Sequence, residues 1–182
     1  MKVFTLERVI KSGARFNPDK AKWFNQEYLR MRPTGKLVAE FRAAEGERVA
    51  AFSDEYIGGV LDLMRERVHF PTEFHDATAF FFEAPAEYDP AAVAKFWKDD
   101  IPALIPQVRA VIAGLDPFTK EHVGESVEGL IRENGWPMGK VMNTLRLFLV
   151  GKSMGPGVAE MMALMGKDEV LRRIDRGIAT LS

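Results

Sequence analysis

Gly151-Lys152-Ser153 is the run in this 182-residue chain whose residue types come nearest to a catalytic device, the end of a phosphate-wrapping loop. Such a loop needs a glycine five residues before the Gly-Lys pair and a buried strand leading into it, so that backbone N–H groups surround the phosphates. Arg146 stands at that position, inside a helical pattern. Gly151 therefore reads as a helix C-cap. The three histidines, His69, His75 and His122, do not share adjacent helical turns, and no cysteine accompanies them. That pattern does not make a metal site. No serine or cysteine sits in a strand-to-helix elbow, so nucleophilic catalysis has no candidate. Acid pairs such as Asp99-Asp100 and Glu87/Asp89 fall where helices begin and read as solvated caps.

The remaining chemistry is that of recognition. Arg65 and Arg67 end one helical stretch, where cations favour the negative end of the helix dipole. A planar guanidinium also stacks on, or hydrogen-bonds to, the edge of an unpaired base. Lys140, Arg146 and Lys152 recur at intervals of six; Arg146, between Leu145 and Leu147, must reach water, an acid or a partner. By pattern alone its first reading is one half of an ion pair. The turn Met154-Gly155-Pro156-Gly157-Val158 can simply join two antiparallel helices, or it can hold backbone groups and a helix start open to a nucleotide. Trp23 and Trp97 lie on apolar stripes and read as core; Trp136, between Gly135 and Pro137, stays open.

Helices must position these groups, because start signals recur and long alternating strands do not. Asn17-Pro18 opens a helix with Ala21, Phe24, Tyr28 and Met31 on one side. Ser53 caps the next, with Ile57, Val60, Leu61, Met64 and Val68 at the spacing of one buried stripe. Asp89-Pro90 and Asp116-Pro117 carry the same start chemistry; the latter leads to Val123, Val127, Leu130 and Ile131 and stops at Asn134-Gly135. Pro137 begins a helix stopped by Gly151, a short one runs from Gly157 to Met165, and the last starts at Lys167. The fold class expected is all-α, in two consecutive helical bundles, with a border at Gly114 to Pro117. Repeats and low-complexity segments are absent.

Composition excludes several classes. With 47% hydrophobic and 28% charged residues the chain is an ordinary globular one, and without cysteine it has neither disulfides nor thiolate sites. No run reaches the roughly 20 apolar residues that span a bilayer, and the N-terminus lacks a signal peptide's apolar core. A cytoplasmic protein with no membrane partner is expected. The net charge of −1 argues against a general nucleic-acid or DNA binder. The charge is unevenly spread: eleven Lys/Arg minus six Asp/Glu gives +5 over residues 1–48, five minus twelve gives −7 over 49–116, and nine minus eight gives +1 over 117–182.

Two segments at opposite ends carry a family resemblance. Residues 143–174, NTLRLFLVGKSMGPGVAEMMALMGKDEVLRRI, resemble the C-terminal end of bacterial-type glutamyl-tRNA synthetases. Residues 4–30, FTLERVIKSGARFNPDKAKWFNQEYLR, resemble the segment that follows the catalytic half of that class I family. Nothing resembles its HIGH-type and KLSKS-type ATP-binding motifs, so the resemblance implies the tRNA-reading part of a ligase without its chemistry. Met1 before a segment internal to the family implies a piece of a longer protein.

By that likeness residues 1–48 form a stem-contact segment and linker helix, 49–115 a first anticodon-binding subdomain, and 116–182 a second. Lys11, Arg15, Lys20 and Lys22 fall near the stem-contact surface. Arg67, in LDLMRERVHFPTEF, matches the arginine that distinguishes C from G at the third anticodon base, with Arg65 the alternative register. Arg146 and the turn Gly155, Pro156, Gly157 and Val158 match anticodon-loop contacts; Gly155 stands where some relatives carry a hydroxyl, which favours backbone contact there. The implied partner is tRNA-Glu, the implied state a monomer, and the chain needs no cofactor, whereas the parent enzyme uses ATP and Mg. A helical protein-interaction module without tRNA binding is the competing reading, since it would share the composition and caps.

Overall fold

The computed structural model describes residues 18–181, with side chains from Lys22 onward. Ten α-helices run through the described residues, and no strand occurs among them: α1 (Pro18–Met31), α2 (Thr34–Glu45), α3 (Asp54–Met64), α4 (Phe74–Phe82), α5 (Pro90–Phe96), α6 (Ile101–Gly114), α7 (Lys120–Glu133), α8 (Met138–Val150), α9 (Val158–Met165) and α10 (Lys167–Leu181). Single 3-10 turns at Gly46–Val49 and Pro71–Glu73 lead into α3 and α4.

Most helix ends follow the local chemistry. Ser53 accepts the N–H of Tyr56, and Asp89 accepts that of Ala91 at 2.9 Å, ahead of Pro90 at the first helical position. Gly151 closes α8 in the left-handed conformation with φ +80°, where a side chain would be strained. The stripe Ile57, Val60, Leu61, Met64 and Val68 is buried throughout. Two expectations need correction. Helix α7 starts at Lys120, not at Asp116-Pro117, because Thr119 Oγ1 takes the His122 N–H and the preceding carbonyl of Pro117 is engaged by the His122 ring at 2.8 Å. On α1, Trp23, expected in the core, faces outward, as do Phe24, Tyr28 and Met31 from the expected shared side; each is more than half exposed, and Leu29 is the buried residue. Trp23 is therefore not core. Trp97 is partly buried against the core, and its indole N–H donates to Leu181 O at 2.9 Å.

The helices pack in two groups. Helices α2, α3 and α4 pack on one another, whereas α5 and α6 have α7, α8 and α10 as neighbours. The expected border at 115/116 thus lies inside the second group, and packing divides the chain at the connection 83–89. The physical reason is that α6 buries Ile105, Val108 and Ile112 against later helices. One continuous apolar core joins the groups. Two glycines allow helices to approach closely. A Cβ at Gly59 on α3 would lie 2.8 Å from Leu164 Cδ1 on α9, and a Cβ at Gly177 on α10 would overlap the Phe148 ring of α8.

The most deeply buried charged group among the described residues is Arg173 on α10, 2% exposed. It donates to Phe80 O on α4, to Leu149 O on α8 and to Glu169 Oε1, each at 2.6 Å. Both carbonyls belong to the last turns of their helices, where no intrahelical N–H is available. A guanidinium also suits the negative ends of two helix dipoles. Burial works against the charged form of Glu169, but the hydrogen bonds from Arg172 and Arg173 outweigh it and hold the carboxyl below its ordinary range.

Gly177→Ala is expected to lower stability by about 1–3 kcal/mol, because the fully buried Phe148 ring must shift. Gly129→Ala in α7, which meets nothing within 4 Å, should instead raise it by about 0.5–1 kcal/mol. Paired urea titrations check both, and a neutral Gly177→Ala would contradict the packing. The depressed carboxyls of Glu169, Asp175 and Asp99 set a pH dependence. Each binds its proton less readily folded than unfolded, so the stability it contributes is complete above the ordinary carboxyl range and is lost as pH falls below it. Thermal midpoints should hold from about pH 7 to about pH 5 and fall below that; a midpoint that rose on acidification would contradict the ion pairs.

Candidate functional site

The segment after α3 turns sharply, with Arg67 N–H on Met64 O at 2.8 Å. Met64 and Val68 are both buried on either side of it, and this leaves Arg67 pointing outward and exposed. Arg65 goes the other way. Its guanidinium donates to Arg30 O and Arg32 O at 3.3 Å, to Thr34 Oγ1 at 2.8 Å, and to Asp62. Arg65 thus ties the end of α3 to the α1–α2 junction and has few hydrogens left for a partner.

Arg146 comes from α8. It donates to Asn143 Oδ1 at 2.8 Å and reaches Pro156 O at 3.4 Å, while its buried Nε–H has no partner. The ion pair that pattern suggests for it is not made. Most arginines among the described residues hold a carboxylate; Arg67, Arg146 and Arg176 do not. Burial lowers the pKa of the Arg146 guanidinium below its ordinary value, and the like charge of Arg67 adds to the effect. The two cations, 79 positions apart in sequence, thus stand within electrostatic range of one another.

The turn between α8 and α9 completes the cluster. Gly155 takes φ +154°, a backbone state that side chains rarely adopt, and an added Cβ would sit 4.0 Å from Arg146 Cδ. It is exposed, and its N–H has no partner among the described residues. Pro156 and Val158 are buried, so their side chains anchor the turn and only backbone is offered to a partner. Gly157 is the N-cap of α9, and Glu160 reaches back toward its N–H. The Glu160 carboxyl is held below its ordinary range, chiefly by the Lys120 ammonium at 2.6 Å, with smaller help from that backbone bond and from Arg67. An anion site at this helix start is therefore already filled by the chain's own carboxylate. Beside the turn, Met154, Gly155 and Lys152 form one wall of a cleft of about 530 Å³, with Phe80, Pro85 and Ala86 opposite.

The structure therefore sets Arg146 against the turn Gly155–Val158, leaves Arg67 exposed within electrostatic range of Arg146, and turns Arg65 away. Lys22 is exposed on α1. Lys11 and Arg15 lie outside the described residues, as does the side chain of Lys20. Lys140 pairs with Asp99 at 2.7 Å, at the other end of α8. Two contributors were missing from the sequence reading, Asn143 and Glu160. The signal for both is spacing: each lies three residues from a group it touches, Arg146 and Gly157.

A model of the family described as the anticodon binding domain matches residues 27–178. A glutamate–tRNA ligase of Chlorobaculum parvum is 36% identical over 98% of this chain and 38% of its own length. That of Flavobacterium johnsoniae is 37% identical over the whole chain and 36% of its own length. Among solved structures, a glutamate tRNA ligase from Elizabethkingia meningosepticum, in complex with its amino acid, superposes with a TM-score of 0.88 at 39% identity, over 98% of this chain and 36% of that one. The glutamate-tRNA synthetase of Elizabethkingia anophelis gives 0.82 at 38% identity, over 97% and 34%. The chain spans little more than a third of the relatives it matches. A family model covering most of the sequence, and two solved neighbours that superpose along nearly all of it, lead to one assignment: the chain belongs to the anticodon-binding domain family, in the form found in glutamate–tRNA ligases.

Proposed function

We propose that this chain reads the anticodon loop of tRNA-Glu on behalf of a glutamate–tRNA ligase. The observation that carries the reading is the pair Arg67 and Arg146, two cations within electrostatic range of one another and without carboxylate partners among the described residues, set against a turn that offers backbone. Two like charges held together are unfavourable unless something anionic or rich in acceptors meets them. An unpaired, splayed base supplies such acceptors on its edge and a face for stacking. Arg67 is the exposed reader of the third anticodon base, Arg146 the less mobile contact, and Gly155 a backbone donor. Arg65 has its hydrogen bonds inside the fold, which favours Arg67 over it.

The overall charge of −1 fits this division of labour. Selection rests on a few directed contacts, while Lys11, Arg15, Lys20 and Lys22 would add phosphate attraction along the stem. Anticodon contacts of this kind seat the tRNA so that its acceptor end reaches the catalytic half, where the parent enzyme would use ATP and Mg. Remote binding of that sort raises turnover as well as affinity. Action as a monomer in the cytoplasm accords with this role. The interaction-module alternative finds no support in the family match.

Arg67→Gln in the complete ligase should relax selection at the third anticodon base by roughly ten- to hundredfold, the loss of one base-edge contact worth about 1–3 kcal/mol. Aminoacylation of tRNA-Glu against tRNA-Gln measures it, and unchanged selectivity would remove Arg67 from the role. Arg146→Ala should weaken tRNA binding about tenfold or more. The folded chain should be little affected, since that guanidinium has no ionic partner to lose. Circular dichroism beside a binding titration separates the two effects, and a collapse of helical signal would make Arg146 structural.

A further inference from the structure

Arg173 links the two helix groups at the point from which the recognition turn departs. A buried guanidinium is a poor route to stability, because an apolar side chain of similar volume is often as good or better. What it supplies instead is direction. Its three bonds of 2.6 Å run to Phe80 O near the end of α4, Leu149 O near the end of α8, and Glu169 on its own helix. Beyond Phe80 the chain forms the 83–87 wall of the cleft, and beyond Leu149 it enters the turn 151–157. The wall and the turn touch: Asp89 N–H donates to Gly151 O at 2.9 Å, and a Cβ on Gly151 would collide with Pro85 and Glu87 O.

Arg176 reaches Ala86 O of the wall at a longer 3.4 Å, and the tie between α3 and α9 is not directional. Gly59 and Leu164 meet through apolar contact, which tolerates sliding. Hydrogen bonds to carbonyls at fixed angles do not. From this geometry we infer that Arg173, aligned by Glu169, is a positioning residue for recognition: it sets the separation between the group that carries Arg67 and the turn that Arg146 and Gly155 share. It touches no RNA. It acts by fixing where two helix ends stand, so its loss alters selectivity before it alters the helices. The inference rests on the anticodon-reading proposal for its functional consequence, but not for its geometric one.

The chain has no cysteine, so two introduced ones can be labelled without interference. Spin labels on Glu47→Cys, in the first group, and Met154→Cys, in the turn, report the separation; both positions are exposed. Arg173→Lys keeps the charge but cannot reach both carbonyls and Glu169, and Arg173→Met keeps volume alone. Arg109→Lys is the control, since Arg109 ties α10 to α6 through Asp175, away from the turn. Both Arg173 variants should broaden the label distance distribution with helical content retained, and the control should not. In the same variants without labels, the preference for a tRNA-Glu transcript over one altered at the third anticodon base should shrink by about two- to thirtyfold. An unchanged distance distribution in Arg173→Lys would overturn the positioning role whatever the RNA does. A broadened distribution with full discrimination would overturn its link to recognition. An unmutated chain that shows no preference would count against the anticodon-reading proposal alone, leaving the label distances to decide the geometry.

Discussion

One buried guanidinium holds the architecture in register. Arg173 closes the open carbonyls of two helices from two packing groups and is itself balanced by Glu169. Each helix end exposes carbonyls that need donors, and a short helix pays for that shortage over fewer internal bonds. Here one side chain serves two such ends. Arg65 does similar work at the end of α1, where it donates to Arg30 O and Arg32 O. The chain thus uses arginines twice as clamps across helix termini, and each clamp fixes a junction that leads to the recognition face.

The same economy separates the arginines engaged within the fold from the two proposed to read the anticodon. Arg30, Arg32, Arg48 and Arg109 each hold a carboxylate, and their charge is balanced locally. Arg67 and Arg146 repel each other, and neither forms an ion pair among the described residues, although Arg67 lies within electrostatic reach of Glu160. Arg146 pays a desolvation cost that its bonds to Asn143 and Pro156 O only partly offset, since its Nε–H stays unmatched. A guanidinium in that condition is poised for an external acceptor. Glu160 marks the limit of the positive patch, because it is committed to Lys120 and the α9 start.

Local chemistry made much of the fold legible in the residues themselves. Ser53, Asp89, Gly151 and Gly166 mark helix ends because caps act within a few residues, and the Ile57–Val68 stripe is buried because its spacing matches the helix. Tertiary choices were less visible. Trp23 and Phe24 have the spacing of a core stripe yet lie on an outward face, since periodicity shows that a face is apolar and not what covers it. The turn residues at 114–117 interrupt the helix pattern without interrupting the packing of α6 on α7, so a border expected there does not coincide with the grouping of the helices. Arg173 was overlooked for a related reason: it occupies a buried-stripe position between Val170 and Gly177, and the carbonyl it serves on α4 is 93 residues away. A charge on an apolar stripe with an acid four residues earlier was the available signal. At the proposed site, the arginines and the turn could be picked out by likeness, whereas the preference for Arg67 over Arg65 in the proposal depends on Arg65 being already engaged by the fold.

The measurement that tests the account most directly is a titration of this chain with a tRNA-Glu transcript and with one altered in the anticodon, at low and at moderate salt. Specific reading by the helical groups predicts a preference for the native anticodon that persists as added salt removes phosphate attraction. Equal affinity for both transcripts at every salt concentration would contradict it.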